Sequence, residues 1–343
     1  MAELRLHKPA IRNRALAPTT ASRSPSPVPL RCTGEENRLD SRRGFGDQLR
    51  MTFEDRWWTS QDGLRLHARD HAATDGGPDA GKLPVVCLHG LTRNARDFED
   101  LAPWIAARGR RVIAMSVRGR GQSGRDPQPL NYHPGTYAQD VLAGLESLGV
   151  SRAVFVGTSL GGLVTMVLSA IKGEAVAAAV LNDVGPELNP EAIARIGAYV
   201  GQTPSIANWA EAADYVRGTN GLAFPAHAGN AGFWNTFARR LFRSDEAGNP
   251  VLDYDPDISA PFRQAPTGPA PDLWPLFAGL AKDRPLLLIR GAISDLLLSE
   301  AAAKMRQVAP AMTVVEVPNV GHAPNLDEPE ALAAIDTFLG QVA

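Results

Sequence analysis

A serine stands at the centre of the pattern Gly157-Thr158-Ser159-Leu160-Gly161, which is G-x-S-x-G. The apolar run 153–156 before it predicts a buried strand, and the run 162–167 after it predicts a helix. A serine on a sharp turn between such elements has its hydroxyl exposed at the sheet edge, and the flanking glycines let the backbone bend that tightly. The pattern therefore predicts that Ser159 is a nucleophile.

A serine hydroxyl is a weak nucleophile at neutral pH, so it needs a base and a carboxylate that orients the base. His322 follows the predicted strand 313–317, and Asp295 follows the predicted strand 284–291. Because the carboxyl ends of parallel strands meet at one edge of a sheet, both side chains are expected near Ser159. The predicted catalytic set is Ser159, Asp295 and His322.

A second carboxylate competes with Asp295 for this role. Asp183 follows another predicted strand, 176–181, and would reach the same edge of the sheet. It is the alternative acid. A purely structural interpretation is also open, in which Asp183 orders the turn 182–186 through local hydrogen bonds.

Acyl transfer builds negative charge on a carbonyl oxygen, so donors must already point at that oxygen. The segment His89-Gly90-Leu91 follows the apolar run 84–88 and supplies a candidate loop. We expect the backbone N–H groups of Leu91 and Leu160 to converge on the oxyanion. His89 and Gly90 are predicted to support that loop rather than to react.

Together these motifs resemble the α/β-hydrolase superfamily, in the capped branch that contains esterases and lipases and is similar to carbon–carbon bond hydrolases. The resemblance runs from about Phe53 to the C-terminus, and the loop 118–123 resembles the family's R-G-x-G-x-S segment. Ser116 stands where the family usually has aspartate. Within the family, the pair Ser294-Asp295 after a strand resembles the commoner position of the acid. The resemblance implies an α/β fold, with a mostly parallel, doubly wound eight-stranded sheet and a helical cap inserted after the sixth strand.

The strand–helix alternation stops for nearly a hundred residues, between about 186 and 282. This predicts an α/β core at 51–185 and 283–343, a helical cap at 186–282, and a disordered leader at 1–50. Twelve of the 22 aromatic residues fall in the predicted cap. They could close an apolar pocket over Ser159, or most of them could simply pack the cap itself.

Composition excludes several classes of protein. The net charge of −2 gives no reason to expect nucleic-acid binding. No apolar stretch of about twenty residues predicts a membrane span, and no motif predicts a cofactor or a metal site. Cys32 and Cys87 stand in a polar leader and a predicted core strand, which argues against a disulfide. The leader, rich in Arg, Ser and Pro, could be a flexible tail, a transit peptide or sequence upstream of a true start at Met51. A cytoplasmic location is expected, with the transit peptide left open.

The resemblance implies a carboxylesterase that acts through an acyl-enzyme on a small apolar ester. Three alternatives share the same residues: carbon–carbon bond hydrolysis of a vinylogous diketone, lactone opening, and a ligand receptor that has lost turnover. Arg118 could bind a substrate carboxylate, although a loop-tying role is the simpler interpretation. The sequence leaves the oligomeric state open.

Overall fold

A computed structural model describes residues 53–74, 81–263 and 271–342. The predicted leader, 1–50, and the candidate start at Met51 lie outside the described residues. Ten strands are present within them: β1 (Glu54–Thr59), β2 (Arg65–His71), β3 (Val85–Leu88), β4 (Val112–Ser116), β5 (Ala153–Thr158), β6 (Val176–Asn182), β7 (Phe242–Ser244), β8 (Pro250–Leu252), β9 (Leu286–Gly291) and β10 (Thr313–Val317).

Eight of these strands form one sheet in the order β1-β2-β4-β3-β5-β6-β9-β10. Strand β2 runs antiparallel to both of its neighbours, and the remaining pairs are parallel. The strands read as continuous apolar runs because both faces of the sheet are covered. In β3, Val86 and Leu88 join one hydrophobic core while Val85 and Cys87 join the other.

Ten α-helices accompany the strands in the described part of the chain: α1 (Leu101–Ala106), α2 (Pro134–Ser147), α3 (Leu160–Ile171), α4 (Pro190–Tyr199), α5 (Trp209–Asn220), α6 (Ala231–Leu241), α7 (Ala260–Arg263), α8 (Trp274–Ala281), α9 (Ser299–Val308) and α10 (Pro329–Gln341). Helices α2, α3, α8 and α9 contribute to the core on one face of the sheet, and α1 and α10 to the core on the other. This is the predicted doubly wound architecture, with eight strands in the main sheet.

The segment between β6 and β9 carries helices α4 to α8 and the small β7–β8 hairpin. Helices α5 and α6 have a hydrophobic core of their own, in which Val216 packs with Trp234 and Phe237. Helix α8 lies inside the predicted cap range, yet Phe277 and Leu280 on it are buried in the core beside the main sheet. The last part of the range 186–282 therefore supports the core, while the domain boundaries stay a prediction.

Within the described ranges, no helix is both long enough and apolar enough to cross a bilayer.

Candidate active site

Ser159 occupies a sharp turn between β5 and α3. Its backbone has φ of 51° and ψ of −114°, which is strained for any residue other than glycine. The strain persists because the surroundings fix it: the Ser159 N–H donates to the Asn182 carbonyl at 2.9 Å. A Cβ added to Gly161 would come 2.0 Å from the Leu88 carbonyl oxygen, so only glycine lets α3 start this close to β3. The predicted strand–turn–helix context of Ser159 is therefore present.

His322 joins Ser159 to a carboxylate, and that carboxylate belongs to Asp183. The Ser159 Oγ lies 2.9 Å from His322 Nε2, and His322 Nδ1 lies 2.7 Å from Asp183 Oδ2. A carboxylate can only accept here, so Nδ1 carries the proton and donates it to Asp183. Nε2 then has a free lone pair that accepts from the serine hydroxyl. This is the tautomer a general base needs.

Asp183 is completely buried and its oxygens are well supplied with donors. Oδ1 accepts from the Gly291 N–H at 2.9 Å, and Oδ2 also accepts from the Ser294 hydroxyl at 2.6 Å. The sheet order explains the contact, because β6, which ends just before Asp183, lies between β5 and β9. Asp183 thus stands between the turn that holds Ser159 and the end of β9.

The expectation that Asp295 orients the histidine is wrong in this structure. The Asp295 side chain is 50% exposed and pairs with Arg195 on α4, with Nη2 2.5 Å from Oδ2. Its neighbour Ser294 points inward to Asp183 instead. The loop after β9 therefore contributes a hydroxyl to the site, and the carboxylate comes from the end of β6.

His89 and Gly90 lie where the sequence suggests, beside Ser159 in the loop after β3. His89 is fully buried; its Nε2 accepts from the Val117 N–H at 3.1 Å, so Nδ1 is the protonated nitrogen and donates to the Gly90 carbonyl at 2.7 Å. Burial lowers the pKa of His89 to about 3, which keeps the ring neutral. Both ring nitrogens bond to the backbone and hold the loop in place, so neither is free to act as a base.

Leu91 and Leu160 both line the cavity that contains Ser159. Leu160 is the first residue of α3, where a backbone N–H has no carbonyl partner within its own helix and the helix dipole favours negative charge. Arg120, which sequence reasoning did not single out, is buried and donates from Nε to the Leu91 carbonyl at 2.9 Å. The signal that could identify Arg120 is its position in the loop 118–123, which resembles the R-G-x-G-x-S segment of the family.

The cavity over Ser159 has a volume of about 310 Å³. Its cap side is mainly aliphatic, with Leu188, Ile193 and Ile196 beside the aromatic rings of Tyr199 and Phe262. Most of the other cap aromatics lie elsewhere, in the core of the cap or against the main core: Trp209, Tyr215, Phe224, Phe233, Trp234, Phe237, Phe242 and Trp274. The aromatic content of the cap therefore reflects packing more than the pocket.

Arg118 is tied into the loop and does not line this cavity. Its guanidinium is buried and bonds to the carboxylates of Asp62, Asp126 and Asp140. Three carboxylates around one guanidinium leave it no role toward a substrate. The loop-tying interpretation holds.

Residues 85–335 match the family model described as the alpha/beta hydrolase family. That range covers most of the chain and includes Ser159, Asp183 and His322. The chain belongs to the α/β-hydrolase family, and it is a hydrolase of that fold.

Two named relatives align with most of the chain. It is 34% identical over 269 residues to the 3-hydroxybutyrate-oligomer hydrolase of Cupriavidus necator, covering 76% of this chain and 90% of the relative. It is 28% identical over 264 residues to the 2-(acetamidomethylene)succinate hydrolase of Mesorhizobium japonicum, with the same coverage of 76% and 90%. Among solved structures, an α/β hydrolase from Novosphingobium aromaticivorans is 46% identical, with a TM-score of 0.77, covering 84% of this chain and 99% of that one.

Proposed function

We propose that this protein is a serine hydrolase that cleaves carboxylic esters through an acyl-enzyme on Ser159. The observation that carries the proposal is the continuous chain of contacts from Ser159 Oγ to His322 Nε2 and from His322 Nδ1 to Asp183 Oδ2, at 2.9 and 2.7 Å. A nucleophile, a base and an orienting carboxylate in hydrogen-bond contact are the parts that acyl transfer by serine requires.

In the first half-reaction the Ser159 oxygen attacks the ester carbonyl while His322 takes the hydroxyl proton. The Leu91 and Leu160 amides stabilise the oxyanion, and Asp183 stabilises the imidazolium that forms. The carbon–oxygen bond to the alcohol then breaks, and His322 gives its proton to the leaving alkoxide. In the second half-reaction His322 takes a proton from water, the hydroxide attacks the acyl-enzyme, and the carboxylic acid leaves as Ser159 is reprotonated.

The volume of the cavity and the names of the relatives together narrow the range of candidate substrates. A cavity of about 310 Å³ lies at the small end of the range of about 300–1,000 Å³ for ligand pockets, so short acyl chains suit it best. The relative at 34% identity is named for 3-hydroxybutyrate oligomers, which are esters of a short hydroxy acid. We therefore place short hydroxy-acid esters first among candidate substrates.

Hydrolysis of p-nitrophenyl esters from acetate to long acyl chains tests the proposal, with the full-length protein and with Ser159→Ala. We expect an optimum at short chains and loss of turnover in the variant. Irreversible labelling of Ser159 by a fluorophosphonate provides a readout that does not depend on the choice of ester. A folded protein that neither turns over these esters nor reacts with the probe would contradict the proposal and favour a ligand receptor.

One observation favours a second candidate function. The relative at 28% identity is named for 2-(acetamidomethylene)succinate, which contains an amide and two carboxylates. Ser159, with His322 as base and Asp183 as orienting carboxylate, could also attack such a substrate. The contacts around Ser159 therefore do not distinguish the two reactions. Turnover of 2-(acetamidomethylene)succinate without turnover of any ester would select this candidate.

A further inference from the structure

One charged pair interrupts the apolar wall of the active-site cavity. Arg93 and Asp97 both line it, and Arg93 Nε lies 2.7 Å from Asp97 Oδ1. The two side chains are only 16% and 11% exposed. Neither takes part in the proposed acyl transfer, so their presence beside Ser159 calls for another explanation.

The Arg93 guanidinium retains donors after its structural contacts are made. Nε is directed to Asp97, and Cζ lies 4.1 Å from the centre of the Phe237 ring. Across the residues that the structure describes, Nη1 and Nη2 have no hydrogen-bond partner. A guanidinium is always charged and can offer two parallel N–H groups to a carboxylate, so this edge is suited to an anionic ligand.

Arg93 also stands close to the reacting serine. A Cβ on Gly90 would lie 3.5 Å from Arg93 Cγ and 3.8 Å from Ser159 Cβ, so the stem of the arginine and the serine flank the same glycine. Because Arg93 and Ser159 also line the same cavity, a substrate with its carbonyl at Ser159 can extend a second group toward the guanidinium. The surrounding aliphatic side chains strengthen that charge interaction by excluding water.

We infer that Arg93 is a specificity-determining residue that binds a carboxylate on the substrate, so that the enzyme prefers esters carrying a free carboxylate a few bonds from the scissile carbonyl. This inference rests on the proposed ester hydrolysis and adds the chemical class of the substrate. Asp97 opposes the preference, because its negative charge lies against the same guanidinium. The two residues thus have opposite effects on one measurable ratio.

The test compares pairs of esters that differ only in a carboxylate or a carboxamide. On the acyl side these are mono-p-nitrophenyl adipate and the p-nitrophenyl ester of adipamic acid; on the alcohol side, 3-acetoxybutyrate and 3-acetoxybutyramide. The full-length enzyme is expected to favour the carboxylate in at least one pair by about tenfold to a hundredfold in kcat/KM, the range that charge-assisted hydrogen bonds supply. The pair that shows the effect tells which side of the ester reaches Arg93.

Arg93→Gln should bring that ratio close to one, while Asp97→Asn, which keeps an acceptor for Nε, should raise it. Arg65→Gln is the matched control: Arg65 is exposed at the start of β2, its Cζ lies 3.7 Å from the centre of the Trp57 ring, and it does not line the cavity. Arg65→Gln should keep the wild-type ratio of kcat/KM for the carboxylate ester over the carboxamide ester. A ratio of one or less in both pairs for the wild type, or a ratio unchanged by Arg93→Gln, would overturn the inference.

Binding provides a readout that does not require turnover. In Ser159→Ala, calorimetry with mono-p-nitrophenyl adipate and with 3-acetoxybutyrate should show about tenfold weaker binding of the preferred ester when Arg93→Gln is added. Equal affinity with and without Arg93→Gln for both esters would contradict carboxylate recognition. If the wild-type enzyme hydrolyses no ester but this difference in binding is observed, the result would instead contradict the proposed reaction.

Discussion

Replacing Asp183 by asparagine tests which of the two candidate carboxylates, Asp183 or Asp295, orients His322. Three donors converge on Asp183: the Gly291 N–H, the Ser294 hydroxyl and His322 Nδ1–H. Asparagine has one acceptor oxygen, and the fixed backbone N–H of Gly291 retains it. The amide NH₂ then faces Nδ1, so the imidazole must carry its proton on Nε2 and loses the lone pair that accepts from Ser159.

The size of the effect follows from that change of tautomer. Loss of the base in this way costs about 10³- to 10⁴-fold in kcat, equivalent to about 4–5.5 kcal/mol of the activation free energy. The matched variant is Asp295→Asn. Its ion pair with Arg195 is half exposed and is worth about 0–1 kcal/mol of folding free energy, so kcat should stay within about twofold of wild type.

The assay is kcat for a short p-nitrophenyl ester, measured at a temperature at which thermal unfolding shows both variants to be folded. Asp183→Asn loses hydrogen bonds in a buried place, so about 1–3 kcal/mol of stability is also expected to go. A hundredfold loss in Asp295→Asn, with Asp183→Asn close to wild type, would refute the assignment. Equal losses in both would refute the claim that the loop after β9 contributes no carboxylate.

Three further variants test the supports of the site and the fold. Gly161→Ala, whose Cβ would come 2.0 Å from the Leu88 carbonyl oxygen, should cost at least about 1–3 kcal/mol in urea unfolding and abolish ester turnover. Tyr132→Phe removes a hydroxyl that donates to Asp255 at 2.6 Å, so urea unfolding should show a loss of about 1–3 kcal/mol. Burial lowers the pKa of His71 from 6.5 to about 4, so between these values the unfolded chain binds a proton that the folded chain does not. Stability should therefore fall as the pH is lowered from about 6.5 to 4, by at most about 1.36 kcal/mol per pH unit from this residue, and His71→Leu should reduce that slope in urea titrations without changing it above pH 7.

Much of the core was predictable because its signals are local. A strand buried on both faces must be a short apolar run, and a helix that starts immediately after a strand needs small residues at the turn. Ser159 and His322 could be identified from the sequence for the same reason, since each follows such a strand within a few residues. The order of the strands in the sheet is not local, and it decides which loops become neighbours.

The choice between Asp183 and Asp295 illustrates that limit. Both residues follow strands that lie side by side and end at the same edge, so position along the chain does not separate them. The choice depends on a backbone φ of 54° at Asp183, which turns its side chain inward, and on the N–H of Gly291, which stands 108 residues away. Neither can be read from spacing.

The location of Arg93 connects recognition with the proposed chemistry. It lies two residues after Leu91, on the same loop whose amide is proposed to hold the oxyanion, and its own N–H donates to the Gly90 carbonyl at 3.2 Å. A substrate held by both Arg93 and Ser159 would be aligned by one short, internally bonded segment. Binding energy gained at a non-reacting carboxylate can then reduce the cost of orienting the carbonyl, and so raise kcat as well as lower KM. If Arg93 acts in this way, Arg93→Gln should lower kcat for the carboxylate ester more than for its carboxamide counterpart; a change in KM alone would mean that the guanidinium binds the substrate without aligning it.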